Sequence, residues 1–128
     1  MVTIIYGIGT DIVEIDRIRT SLNRNIKLLD KMFSPREMQM LKLKDYKAES
    51  VAGNFSAKEA VVKSVGTGLR GFRLHDVEIL RDDLNKPLVV FSGKFKDYCN
   101  SIGVSNIMVS ISHSKNYATA TAIAIKED

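Results

Sequence analysis

Cysteine is nearly absent: Cys99 stands alone in 128 residues, so no disulfide can form within the chain. That usage suits a reducing compartment. Long apolar runs are absent too. The longest late stretch, residues 117–125, carries two threonines and is about half the length needed to cross a bilayer. Residues 1–6 are apolar without a basic start and lead directly into Gly7 and Gly9, unlike a secretory leader. The expectation is a cytoplasmic protein with no membrane segment. Two histidines and one cysteine, with no ligand spacing among them, argue against a zinc site. No repeat, low-complexity tract or Pro/Ser-rich linker divides the sequence, so one domain over residues 1–128 is expected.

What remains is an ordinary globular composition, 45% hydrophobic and 27% charged, in a chain long enough to bury a sizeable core without staples. The charge is uneven. Between Arg17 and Lys47 nine basic residues face three acids, a surplus of six, which leaves the remainder at −2 against a whole-chain charge of +4. Such a patch suggests an anionic partner: nucleic acid, a nucleotide-like ligand or an acidic protein. A solvated helical face is the plainer explanation of the same charges.

Hydrophobic patterning predicts an α+β fold with a mostly antiparallel sheet packed on a long helix. Residues 2–6 read as a strand ending in Gly-Ile-Gly, and Asp11-x-x-Glu14 reads as a capping box opening a helix through Ile15, Ile18 and Leu22. Ser34, Pro35 and Glu37 mark a second helix start, running to about residue 44. A third helix spans roughly residues 49–65 and stops at Gly66. Strands at 77–80 and 88–91 flank the Asn85-Lys86-Pro87 turn, and a short helix near 95–101 follows. A hairpin closes the chain, 107–114 and 117–125 about Lys115-Asn116. Its last strand puts Ala118, Ala120, Ala122 and Ala124 on one face, where a helix can approach closely.

The third helix holds the most informative conflict. With Phe55 as zero, a step of about 100° per residue puts Val62 near −20°, Ala52 near +60° and Glu59 near +40°. Glu59 thus falls inside the apolar stripe, with Lys63 four residues on. A buried carboxylate needs a partner or a metal; the plainer explanation is an ordinary Glu-Lys helix pair. Asp11 follows two glycines, where backbone approaches ligands closely, although a helix cap explains it equally. Gly66, Thr67 and Gly68 could offer amides to phosphate, and Gly66 is also a natural helix stop. His113 ends an alternating strand and Cys99 looks like helix packing. Two carboxylates with few other donors suit Mg²⁺, which keeps waters and takes further ligands from substrate phosphates. With the lysine, they make a plausible phosphoryl-transfer site.

Three stretches join these signals. Gly7-Ile-Gly-Thr-Asp-Ile-Val-Glu-Ile-Asp-Arg-Ile18, Phe55-Ser-Ala-Lys-Glu-Ala-Val-Val-Lys-Ser-Val-Gly-Thr-Gly68 and Ile111-Ser-His-Ser-Lys115 resemble the three signatures of the bacterial holo-acyl-carrier-protein synthases, in order and spacing. The second is highly specific, and the resemblance covers essentially the whole chain. It implies Mg²⁺-dependent transfer of 4′-phosphopantetheine from coenzyme A to a serine of an apo acyl carrier protein. Adenosine 3′,5′-bisphosphate would leave, and the reaction would serve fatty acid biosynthesis. By position, Asp11 and Glu59 would hold Mg²⁺ with the pyrophosphate of coenzyme A. Lys63 would contact the phosphates, while His113, Ser114 and the loop of Gly66, Thr67 and Gly68 would lie near the same ligand. Arg17, Arg24 and Lys27 match basic positions facing the acidic carrier. The serine proton would pass to a metal-ordered water or a carboxylate. The resemblance also implies a homotrimer with active sites between subunits. One departure stands out: many members carry Arg where this chain has Asn54, so a contact to coenzyme A is missing or comes from Lys47 or another basic residue.

Two other classes compete. A small basic nucleic-acid-binding domain would need a zinc-finger, helix-turn-helix or aromatic RNA-binding signature, and none is present, so no nucleic-acid partner is expected. A small acyl-CoA thioesterase would share the ligand, but would need neither a divalent metal nor a Glu-Lys pair on the apolar side of its helix.

Overall fold

The computed structural model describes residues 2–66 and 71–127. In chain order they form β1 (Thr3–Glu14), α1 (Ile15–Arg24), α2 (Leu28–Met32), α3 (Pro35–Leu43), α4 (Ala48–Ser64), a 3₁₀ turn (Leu74–Asp76), β2 (Val77–Arg81), β3 (Pro87–Phe91), α5 (Gly93–Ile102), β4 (Val104–His113) and β5 (Tyr117–Glu127). One antiparallel sheet has the order β1-β5-β4, and β2 and β3 form a separate hairpin. Helix α4 lies along β1, β5 and β4, so the α+β expectation holds.

Small side chains make that contact close. Ala118, Ala120, Ala122 and Ala124 of β5 are all buried beneath the helix, as the alternation predicted. The neighbouring strand goes further. A Cβ on Gly7 would stand 2.1 Å from the carbonyl oxygen of Ser64, and one on Gly9 2.1 Å from that of Ala60. At Asp11 the next tie is a hydrogen bond, Ser56 Oγ donating to its carbonyl oxygen at 3.1 Å. Residues 7, 9 and 11 therefore meet 64, 60 and 56. Two strand residues rise about 6.6 Å and four helix residues about 6 Å, so strand and helix stay nearly in step, running in opposite directions.

This register corrects the reading of the N-terminal region. The strand does not end at the glycines; it continues to Glu14, pairing Asp11 with Ala120 and Glu14 with Tyr117 of β5. Asp11 is a strand residue, and Glu14 occupies the N-cap of α1 without a side-chain capping bond. Pairing with a long partner strand outweighs the local capping pattern here. Helix α2 was not anticipated, because its start carries no capping side chain; burial of Leu29 holds it. By contrast, Ser34 and Glu37 form both halves of the predicted capping box on α3. Helix α5 is longer at both ends than residues 95–101 and stops at Gly103, whose φ of 80° is left-handed. Cys99 is buried within it, and burial pushes its thiol up to about 11, consistent with a packing role.

The side of α4 turned toward α3 and β2 is polar and buried. The Glu37 carboxylate accepts from Lys58 Nζ at 2.5 Å, Ser34 N at 3.0 Å, Ile79 N at 3.1 Å and Asn54 Nδ2 at 3.3 Å. Lys58 Nζ also donates to the Val77 carbonyl at 2.7 Å and lies 5.4 Å from the centre of the Phe33 ring. On the opposite, outer face of the three-stranded sheet, Ile8 and Met108 both pair with Ile123, and the first two are 65% and 50% exposed.

The strand–helix contact makes a direct test of the fold. Gly9→Ala forces a methyl group onto helix backbone, which cannot turn aside as a side chain would. Overpacking of this kind should destabilise the protein by about 3 kcal/mol, read as the shift in urea or thermal midpoint. A loss below about 0.5 kcal/mol would show that β1 and α4 are farther apart than described.

Candidate active site

Two residues beyond Gly9, the in-step contact delivers Asp11 to the exposed flank of α4. Its carbonyl is held twice, by Ser56 Oγ and by Thr119 Oγ1 at 2.9 Å, so its backbone position is set from both neighbours. Its carboxylate Oδ1 accepts from Lys63 Nζ at 3.1 Å, and the same ammonium donates to the Thr10 carbonyl at 3.1 Å. Lys63 therefore bonds across to the strand; among the described residues it forms no ion pair with Glu59, and the ordinary helix-pair explanation does not apply.

Glu59 shares with Asp11 a cleft of about 370 Å³, walled by Phe55, Ile18, Arg17 and Tyr117. Burial, and then the negative charge of Asp11, hold the Glu59 carboxyl above the ordinary carboxylate range, while Lys63 pulls it back. The charged form of Glu59 is thus not fully compensated by its neighbours. Two carboxylates opening on one cleft beside a lysine can hold a hard divalent cation while leaving positions for water and phosphate oxygens. Among the described residues no cluster of three or more histidine, cysteine or acidic side chains exists, so such an ion would draw the rest of its shell from elsewhere.

Other candidates sit apart. His113 borders two further clefts, of about 250 and 370 Å³, that share no lining residue with the first. In the smaller it stands with Lys44 and Arg81. Arg81 carried no sequence signal, since one arginine at a strand end is unremarkable. The Ser114 hydroxyl accepts from Tyr117 N at 3.3 Å, which ties the hairpin turn. Gly66 follows α4 with φ of 76°, whereas Thr67 and Gly68 lie outside the described residues. Asn54 is fully buried and turned toward Glu37 and the Ile79 carbonyl, so this side chain offers nothing to a ligand on the surface. Among the described residues its Oδ1 has no hydrogen-bond partner. Arg17, Arg24 and Lys27 are exposed on or just after α1, and Arg17 also lines the Asp11–Glu59 cleft.

Comparison with known proteins decides the family. The model of the 4′-phosphopantetheinyl transferase superfamily matches residues 7–122. The chain belongs to this superfamily. Every candidate residue from Asp11 to Ser114 falls inside the matched span. The holo-[acyl-carrier-protein] synthase of Clostridium acetobutylicum is 44% identical over 119 residues, covering 93% of this chain and 96% of the relative. That of Clostridium beijerinckii is 48% identical with the same coverage. Among solved structures, the Plasmodium yoelii acyl carrier protein synthase with ADP bound superposes with TM-score 0.91 at 35% identity, covering 100% of both chains. The Helicobacter pylori holo-[acyl-carrier-protein] synthase in complex with coenzyme A gives 0.81 at 34% identity, covering 91% and 98%. Membership makes this chain a phosphopantetheinyl transferase.

The strained carboxyl of this transferase has a measurable consequence. A carboxyl raised in the folded state binds more protons there than in the unfolded chain. Stability is therefore lost as pH rises from the ordinary carboxylate range through the raised value. In chelator at pH 7 to 8, Glu59→Gln should melt above the wild type, and the difference should vanish below about pH 4. A variant that melts lower throughout would show Glu59 to be a stabilising residue instead.

Proposed function

We propose that this transferase moves the 4′-phosphopantetheine arm of coenzyme A onto a serine of an apo acyl carrier protein, with Mg²⁺ bound, releasing adenosine 3′,5′-bisphosphate. The meeting of Asp11 and Glu59 in one cleft, with Lys63 bonded to Asp11, carries the reading. It is supported by the names of the relatives and by the coenzyme A seen in the Helicobacter pylori structure. The reading includes a single domain acting in the cytoplasm in fatty acid biosynthesis.

Asp11 and Glu59 would hold the ion together with the pyrophosphate. Bound there, Mg²⁺ would neutralise charge developing on the phosphate oxygens during in-line displacement. Lys63, tethered to Asp11 and Thr10, adds a cation that is half exposed and free to lean toward the phosphates. His113 would meet the nucleotide end, with Ser114 shaping its turn and Gly66, Thr67 and Gly68 adjoining the ligand. Arg24 and Lys27, with Arg17 at the rim of the cleft, would draw in the acidic carrier.

A homotrimer belongs to this reading. The Asp11–Glu59 cleft and the His113 clefts share no residue in one chain, so a neighbouring subunit would supply the histidine face. The exposed apolar row of Ile8 and Met108 offers a surface for closed cyclic assembly.

Intact-mass analysis of a carrier protein incubated with coenzyme A is the deciding experiment. A gain of the phosphopantetheine mass with Mg²⁺, lost in chelator, is expected. Asp11→Ala and Glu59→Ala should each slow transfer by at least about 10²-fold while still melting cooperatively; substantial transfer by both would sink the metal assignment. Arg24→Glu should raise the carrier KM about tenfold, or about 1.4 kcal/mol, and leave the coenzyme A KM unmoved. The reverse pattern would give the basic segment to the nucleotide. Sedimentation should show a trimer, and a fully active monomer would overturn the shared site.

A further inference from the structure

Helix α4 meets the two sides of the molecule in different ways. Toward β1 and β5 it lies mainly on glycine and alanine, side chains too small to interdigitate, with Ser56 and Lys63 bonded to β1; toward β4 it meets Ile107 and Ile111. Among the described residues, the polar ties on that side are one hydroxyl and the half-exposed Lys63 itself, whereas the ties on the other side are fully buried. Toward α3 and β2 the helix presents Asn54 and Lys58, four residues apart and both fully buried. Both donate to the Glu37 carboxylate. Glu37 is itself fastened to Ser34 N and Ile79 N, and Lys58 is fastened a second time to the Val77 carbonyl. Three elements, α3, α4 and β2, are thereby joined at one carboxylate.

Glu59 follows Lys58 by one residue and Lys63 by five, which turns both about 100–140° away from the pinned side. Any roll of α4 is transmitted directly to these two side chains. A displacement of about 1 Å at a reacting centre can lower rate by on the order of 10²-fold.

We propose that Lys58, with Asn54 and through Glu37, is a positioning residue: it fixes the roll of α4 and so aligns Glu59 and Lys63 with Asp11. This inference rests on the functional reading above. A buried ion pair is weak evidence of stabilisation, since apolar replacements of similar shape are often neutral or better. Its presence in this place is explained by direction: a charged, multiply bonded contact tolerates few rotational settings, whereas an apolar one tolerates several. The network touches neither the cleft of Asp11 nor the basic surface of α1.

Removing one partner of the ion pair alone would strand a buried charge and could unfold the chain, so the test uses the paired change Lys58→Met with Glu37→Gln, alongside Asn54→Ala, which leaves the ion pair in place. Three quantities are read: thermal melting, calorimetric binding of coenzyme A with and without Mg²⁺, and the separate kcat and KM values. The paired variant is expected to melt cooperatively. Its Mg²⁺-dependent gain in coenzyme A affinity should fall at least tenfold and kcat at least tenfold. The carrier KM should stay within twofold. A cooperatively melting variant with unchanged Mg²⁺-dependent binding and kcat would overturn the proposal. So would loss of cooperative melting in both variants, which would make the network a requirement for folding and nothing finer. Wild-type protein that melts normally yet binds coenzyme A equally with and without Mg²⁺ would count against the metal-dependent reading itself, a result distinct from either.

Discussion

Strand β1 lies directly on the backbone of α4 because Gly7 and Gly9 carry no side chain where Ser64 and Ala60 present their carbonyls. The rest of the molecule follows from that contact. With strand and helix nearly in step, the third residue of the series, Asp11, arrives beside Lys63 and within electrostatic reach of Glu59. The alanines of β5 extend the same smooth bed, and the outer faces of the sheet and helix are left to other tasks. A Cβ at either glycine would lift the strand and separate the acidic groups that the fold has brought together.

That gathering opposes stability. Glu59 is partly buried and near another carboxylate, and both effects resist its ionisation. Lys63 relieves only part of this, since it bonds to Asp11 and to backbone and not to Glu59. Groups placed against their own preferences in a cleft mark functional sites more often than structural ones. In the proposed reading, a divalent cation and phosphate oxygens would complete the arrangement and give it a purpose. Glu37 shows the contrast. It is more deeply buried, but four donors satisfy it.

Much of this was legible in the residues. The alternating alanines of β5, the Ser34–Glu37 capping box and the unusual place of Glu59 in an apolar stripe were each visible through period or capping chemistry. Three features were not legible. Asp11 fits a helix cap locally, and only pairing with a strand more than a hundred residues away makes it a strand residue. Asn54 looked like a lost ligand contact, but its direction into the Glu37 network depends on the packing of α3 and β2 against α4. The separation of His113 from the carboxylates is a tertiary fact, and nothing along the chain encodes it. Sequence period reveals which face a residue takes; it does not reveal which other face it will meet.

The central claim is that Asp11 and Glu59 act as one unit on one ion. A double-mutant cycle with Asp11→Asn and Glu59→Gln, read as the affinity of coenzyme A in excess Mg²⁺ by calorimetry, tests it most directly. If the two share an ion, either change alone should remove most of the Mg²⁺-dependent affinity, and the double variant should lose little more. Two small losses that simply add would mean that the carboxylates act independently, and the account of the site would be wrong.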